Sequence, residues 1–406
     1  MIAPKIRFPE FHDEYINDSL SEISDRVRRK NSENQTDIPL TIASIEGLVD
    51  QRTYFGKTIA SKDMSGYYLL QNGEFAYNKS YSKGFPVGSI KRLDKYAQGA
   101  LSTLYICFAL KEDADVTSDY LAQYFNSPAW YKAISEVCAE GARNHGLLNV
   151  SPDDFFATTH HFAPTKEEQD KVAAFLSLYD QKIDNQMAKV EALQNRRKGL
   201  LQQIFSQEIR FKADDGSEFP DWEDAEIGTY LAIRSEKQVP TKEAPLKAFV
   251  ANIGVTDKGE KYDRSHLVKS DDKKYKRTEL NDFIYSSNNL DVGSIGLNTY
   301  GTAVISDVYE IFKPKTDAVP VVLSYAIQRK EVMATVLQFR QGCLYGQYKI
   351  YPEDFLSVEI SMPVSLEEQG KIAMFFNLID EQIQIEKDKL EAIKQVKKGL
   401  LQQMFV

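Results

Sequence analysis

Between residues 167 and 205 the apolar positions recur at alternating spacings of three and four, with no Pro and a single Gly near the end. This heptad pattern predicts one long coiled-coil helix. With Leu176 at position a, the seam runs through Leu176, Tyr179, Ile183, Gln186, Val190, Leu193, Arg197, Leu200 and Ile204. A second stretch near the end of the chain yields Phe376, Ile379, Ile383, Glu386, Leu390, Ile393, Lys397, Leu400 and Met404. Both seams are interrupted by polar residues at the same two places. A parallel, in-register pair would set Arg197 against Lys397 and Gln186 against Glu386 and bury like charge at a cost. An antiparallel intramolecular coiled coil avoids this. Its expected layers put Arg197 opposite Glu386, Gln186 opposite Lys397, Ile183 opposite Leu400, Val190 opposite Ile393, Leu193 opposite Leu390 and Leu200 opposite Ile383. A slip of one heptad would leave the polar groups against apolar partners, so the polar layers are expected to set the register. A helix of about 40 residues is a spacer rod of roughly 60 Å.

Ahead of each long helix the periodicity changes. Short β-prone runs such as Leu101-Ser102-Thr103-Leu104-Tyr105-Ile106-Cys107-Phe108 and Ala303-Val304-Ile305-Ser306-Asp307-Val308-Tyr309-Glu310-Ile311-Phe312 alternate with Gly- and Asn-containing turns. Shorter helices are expected around residues 118–125 and 319–338. The chain therefore reads as α+β, with a mixed domain over 1–162, a central long helix over 163–206, a second mixed domain over 207–361 and a C-terminal long helix over 362–406.

The two halves are copies. Glu167-Glu168-Gln169 recurs as Glu367-Glu368-Gln369, Lys198-Gly199-Leu200-Leu201-Gln202-Gln203 as Lys398-Gly399-Leu400-Leu401-Gln402-Gln403, and Pro152-Asp153-Asp154-Phe155 as Pro352-Glu353-Asp354-Phe355. Nearer each start, Phe8-Pro9-Glu10-Phe11 resembles Phe219-Pro220-Asp221-Trp222, and Phe75-Ala76-Tyr77 resembles Phe283-Ile284-Tyr285, at drifting offsets. The helical ends are closely copied while the preceding domains have diverged. That is the pattern of a shared scaffold carrying two different readers. The implied pseudo-two-fold matches the local two-folds of B-DNA, so two separated half-sites could be read on one duplex.

Composition narrows the class without choosing the partner. At 406 residues, 42% hydrophobic and 27% charged, the chain is a folded multidomain protein. No apolar run reaches the roughly 18 residues needed to span a bilayer, and the N-terminus has no signal-peptide apolar core, so a cytoplasmic location is expected. The three cysteines, Cys107, Cys138 and Cys343, form no CxxC pair and suit a reducing compartment. A net charge of -9 argues against sequence-blind coating of nucleic acid but not against local basic faces. Candidates for such faces are Arg26, Arg28, Arg29 and Lys30; Lys79, Lys83, Lys91, Arg92 and Lys95; and Lys273, Lys274, Lys276 and Arg277.

The sharper candidates are the polar loops that follow the repeated Phe-x-Tyr runs: Asn78, Lys79, Ser80, Tyr81 and Lys83 in the first half, and Ser286, Ser287, Asn288 and Asn289 in the second. Asn can read adenine edges bidentately, while Lys and Ser suit phosphate or base acceptors. Catalytic signatures are missing. There is no Asn-Pro-Pro-Tyr or Asp-Pro-Pro-Tyr run and no GxGxxG stretch. Gly56-Lys57-Thr58 imitates the end of a phosphate-binding loop, but Gln51 stands where the earlier Gly is required. His145, His160 and His161 lack companions at ligand spacing, so no metal is expected.

Variable domain, Glu-Glu-Gln helix, second variable domain and second Glu-Glu-Gln helix together resemble the specificity subunit of type I restriction-modification systems over the whole chain. The stretches Tyr77-Asn78-Lys79-Ser80-Tyr81-Ser82-Lys83-Gly84 and Tyr285-Ser286-Ser287-Asn288-Asn289 resemble runs of that family's target-recognition domains. The resemblance implies two such domains separated by the coiled coil, related in turn to those of TaqI-type adenine methyltransferases. It also implies binding to a bipartite sequence in double-stranded DNA, association with two methyltransferase subunits and recruitment of restriction subunits. S-adenosylmethionine, ATP and Mg would then belong to the partners, and this chain would hold no cofactor and no catalytic centre. A coiled-coil scaffold that binds only proteins, and a cryptic nuclease, are the alternatives that sequence-specific duplex binding and a cleavage assay with Mg²⁺ discriminate.

Overall fold

The computed structural model describes residues 3–57, 59–138, 148–251, 253–257, 273–344 and 347–406. It forms two compact units, one of Met1–Lys189 with Glu386–Val406 and one of Val190–Ile385. Each unit thus contains the first part of one long helix and the last part of the other.

In the first unit a four-stranded antiparallel sheet is ordered Ser24–Arg26, Ile106–Leu110, Phe75–Asn78 and Ser89–Arg92. Its side chains alternate as a sheet buried on both faces requires. Phe75, Tyr77 and Phe108 enter the main core with the helices Ser118–Asn126 and Tyr131–Val137, whereas Ala76 and Cys107 turn to a second core. That second core is closed by another four-stranded sheet, ordered Gly47–Asp50, Pro39–Ala43, Gln98–Leu101 and Tyr68–Gln71. Val172, Ala173 and Leu176 of the first long helix and Leu401, Met404 and Phe405 from the chain's end complete the main core. The Phe405 ring packs 5.3 Å from Tyr120 and 5.7 Å from Tyr124.

The second unit repeats the plan. Its antiparallel sheet runs Leu231–Ile233, Glu310–Pro314, Phe283–Tyr285 and Ile295–Leu297. Phe283, Tyr285 and Phe312 pack against helix Pro320–Ile327, Ile204 and Phe205 of the first long helix, and Ile372, Ala373 and Phe376 of the second. A three-stranded sheet of Lys237–Gln238, Tyr275–Thr278 and Ala303–Ile305 supplies Ala303 and Ile305 to a smaller cluster with Ile284 and Ile311.

The helix expected at 118–125 is Ser118–Asn126. The one expected over 319–338 divides into Pro320–Ile327 and Lys330–Gln338. Each β-prone run is likewise two strands, Gln98–Leu101 and Ile106–Leu110 in the first and Ala303–Ile305 and Glu310–Pro314 in the second. Turns at Ser102 and Ser306, closed by main-chain bonds from Tyr105 and Tyr309, send the two pieces to different sheets.

The long helices are Lys166–Phe205 and Leu366–Met404. Thr165 and Ser365 start them by accepting from the amides of Glu168 and Glu368 at 3.3 and 3.4 Å, so both begin at the same repeat position. The seam residues from Leu176 and Phe376 onward are buried or half-buried while most of their neighbours are exposed. In the first unit Asp180 takes Lys397 and Gln186 takes Glu386, so numbering rises on one helix as it falls on the other, as an antiparallel pair requires.

The expected register is overturned. Arg197 does not face Glu386; it holds Asp380. Gln186 does not face Lys397; its amide donates to Glu386 at 2.7 Å to a carboxylate oxygen and 2.8 Å to the main-chain carbonyl. The apolar layers of that register, Ile183 with Leu400, Val190 with Ile393, Leu193 with Leu390 and Leu200 with Ile383, fall with it. The expectation weighed only seam positions against one another. Asp180 and Asp380, just beside the seam, offer carboxylates that long cationic side chains reach without leaving their apolar stems exposed. Glu386 is then satisfied by the neutral Gln186 and by Lys189 and Lys389 at its rim, at 3.1 and 3.0 Å. These partners, Gln186 foremost, hold its carboxyl down at about 2.

Candidate nucleic-acid interface

The strand that leads into each candidate loop begins at an ion pair. In the first unit Arg29 donates to both oxygens of the buried Glu74 at 2.7 and 2.8 Å, and Glu74 also accepts from the Gln71 amide. In the second, Arg234 pairs with the buried Asp282 at 2.7 Å, and Asp282 accepts from the Glu279 amide. The two acids stand directly before Phe75-Ala76-Tyr77 and Phe283-Ile284-Tyr285, so the repeat conserves the geometry while exchanging Glu for Asp.

At the other end of each strand a buried tyrosine fixes the loop. Tyr77 Oη donates to Val87 O at 2.8 Å, and its ring stacks on Phe155 at 4.9 Å. Tyr285 Oη donates to Ile350 O at 2.9 Å, beside Phe355 at 4.8 Å. In the first loop Asn78 Oδ1 accepts from the Ser80 amide at 3.0 Å. Gly88 closes the loop with φ +82°, where a Cβ would come within 2.0 Å of Asn78 O, so only glycine fits there. Lys79 is half-buried: its Nζ lies 3.4 Å from Val150 O, and its carbonyl accepts from the Leu148 amide. Ser80 is half-buried, and Tyr81 and Lys83 are exposed.

The second loop is a 3-10 turn, Ser287–Val292. Ser286 and Ser287 are buried, 2% and 9% exposed. The Ser287 hydroxyl accepts from the Ile350 amide at 3.1 Å, which removes it from the reading surface. Asn288 and Asn289 are exposed. Asn288 Oδ1 accepts from the Tyr348 amide at 2.9 Å. In both units, then, the segment just ahead of the Pro-x-Asp-Phe helix, residues 148–150 or 348–350, is docked on the loop.

Most of the basic candidates are engaged internally. Besides Arg29, Lys30 lies 4.3 Å over the Tyr68 ring, Lys91 donates to Asn126, and Arg92 pairs with Asp94 and Asp119. Lys95 donates to Glu46 O, Lys276 pairs with Glu310, and Arg277 with Glu279.

The Glu-Glu-Gln motif is a clamp between helix and module. Glu168 is buried and receives Arg7 Nε and Nη2 at 2.7 and 2.8 Å; Glu368 is buried and receives Arg210 at 3.2 and 3.0 Å. Gln169 Oε1 accepts from the Thr117 amide and Gln369 Oε1 from the Val319 amide, each at 2.7 Å, while their Nε2 groups donate to Ala163 O and Pro363 O. A neutral amide can cap the short helix and bind the strand end at once because it both donates and accepts.

The remaining candidate chemistry has structural explanations. His160 is buried between the Tyr124 hydroxyl on Nδ1 and the Thr158 hydroxyl on Nε2, both at 2.9 Å. Burial, aided by His161, lowers it to about 3. Gly56 ends the short helix Gln51–Phe55 in the left-handed region rather than opening a helix, so it builds no phosphate cradle. Thr58, His145 and the side chain of Cys343 lie outside the described residues. Cys107 is buried and Cys138 half-buried, both as thiols. Among the described residues no group of three or more His, Cys, Asp or Glu is placed to hold a metal ion, and no helix is long and apolar enough to cross a membrane.

Comparison with known proteins agrees with this architecture. The family model for the type I restriction modification DNA specificity domain matches residues 220–395. The putative type I restriction enzyme MjaX specificity subunit of Methanocaldococcus jannaschii is 27% identical over 297 residues, 70% of this chain, and the chain spans 65% of that relative's length. In fold, the S subunit of a type I restriction-modification system from M. genitalium superposes with a TM-score of 0.51 at 13% identity, covering 100% of this chain and 99% of that one. A chain from a structure addressing complex assembly and conformational transition of the type I R-M system reaches 0.56 at 15% identity, covering 97% of each. Residues 220–395 thus match a type I restriction modification DNA specificity domain, and over nearly its whole length the chain is similar in fold to the S subunit of such a system.

Proposed function

We propose that this chain is the DNA-reading subunit of such a system. In this reading, residues 1–162 and 207–361 are target-recognition domains, each reading one half of a bipartite duplex sequence, and the long helices hold the spacing. Two methyltransferase subunits and the restriction subunits are directed to the site, and they bring S-adenosylmethionine, ATP and Mg; this chain reads and does not catalyse. The observation that carries the proposal is the recurrence, in two diverged units, of a polar loop at the end of the equivalent strand, fixed by an equivalent tyrosine and docked by an equivalent downstream segment. Repetition of the framework with divergence of the loop is what two readers of different half-sites require. Mapping methylated adenines in a genome with and without the gene tests it. Loss of methylation at one bipartite motif is expected, and an unchanged methylation map would reject the assignment.

A further inference from the structure

The second unit carries a further element beside its candidate loop. A hairpin of Gln341–Leu344 with Gln347–Lys349 leads into Ile350 and Tyr351, and it is attached directly to the candidate loop. The Tyr348 amide donates to Asn288 Oδ1 at 2.9 Å, and both polar main-chain groups of Ile350 meet the Ser287 hydroxyl at 3.1 and 3.4 Å. Tyr348, Lys349 and Tyr351 are exposed. Lys349 Nζ lies 4.4 Å over the Tyr351 ring, and the Arg340 guanidinium 4.9 Å over the Tyr348 ring. Of the neighbouring acids, Asp354 is within reach of the Gln341 amide at 3.5 Å and Glu353 is exposed on the following helix.

We propose that this hairpin is a second DNA-contacting element, with Lys349 binding a backbone phosphate beside the bases that face Asn288 and Asn289. The inference rests on the reading of Asn288 and Asn289 as duplex-facing. Lys349, resting on the Tyr351 face, is partly ordered before binding, so it loses less freedom when a phosphate takes it. Because Tyr348 and Asn288 share a hydrogen bond, a phosphate held by the hairpin sets the depth at which the asparagines meet base edges.

The full chain is titrated by fluorescence anisotropy against duplexes enriched from a randomised pool, across a range of salt concentrations. Lys349→Met keeps the apolar stem and removes one cation. It should raise Kd about fivefold near 0.15 M salt and reduce the slope of log affinity against log salt by about 0.9, with half-site preference retained. Lys242→Met, at another exposed position, should change neither. Unchanged affinity, or weaker affinity with an unchanged slope, overturns the hairpin contact even while Asn288→Ala alters sequence preference and the DNA-reading assignment stands. A wild-type chain that selects no duplex overturns that assignment and the hairpin contact together.

Discussion

Arg197 and Asp380 are joined by two hydrogen bonds, Nε to Oδ1 at 2.6 Å and Nη2 to Oδ2 at 2.9 Å, with the Tyr325 hydroxyl completing the guanidinium at 3.1 Å. The pseudo-equivalent pair in the other unit is Lys397 with Asp180. A planar fork matches a carboxylate at two points where an ammonium matches at one. Asp380 is nearly half exposed, so screening limits the pair's worth. A double-mutant cycle of Arg197→Ala and Asp380→Ala should give a coupling of about 1 kcal/mol in urea unfolding. Strictly additive effects would mean that the pair does not help set the helix register.

Glu368 is the buried half of a clamp whose other half, Arg210, is 18% exposed. Glu368→Ala leaves the guanidinium with little solvent and without its carboxylate, a loss of about 3 kcal/mol. Glu168→Ala should act similarly through Arg7. Denaturation midpoints equal to the wild type would show that the motif serves another purpose.

His160 contributes acid sensitivity. Its folded value, about 3, lies below the roughly 6.5 of an unfolded histidine, so below pH 6.5 the unfolded chain binds a proton that the folded chain refuses. Its contribution is complete above that pH and is lost progressively toward pH 3. The slope approaches about 1.4 kcal/mol per pH unit in that window. The unfolding free energy of His160→Gln, measured between pH 7 and pH 4, should lose this component of the slope; an identical slope would place the proton uptake elsewhere.

Within the loops, Lys79→Ala should weaken DNA binding with little change in preference. Asn288→Ala should relax selectivity in one half-site by about 1 to 3 kcal/mol. Asn288 Oδ1 already accepts from Tyr348, yet retains a second lone pair, and its amide protons stay available for an adenine edge. Binding assays on enriched duplexes that show wild-type affinity and preference for both variants would reject these contacts.

Much of the architecture is legible in the sequence. The apolar spacing located both helices and the phase of their seams, because burying one stripe of a helix imposes a period that local sequence must carry. The duplication announced two copies of one module. The loops follow the repeated Phe-x-Tyr runs, yet their four adjacent polar residues in the second half look alike in sequence. Ser286 and Ser287 proved buried and Asn288 and Asn289 exposed, because a 3-10 turn, and no compositional signal, decides which way each side chain faces.

Sequence alone determined what repeats, where the two long helices run and which of their faces are apolar, since these follow from spacing along one chain. Only the tertiary structure decided partners. Glu168 finds Arg7 161 positions away, and Arg197 finds Asp380 rather than the seam residue Glu386. A charged side chain satisfies itself with whatever group its reach and burial allow in three dimensions, so the periodicity of the seam could predict an antiparallel pair but not its register.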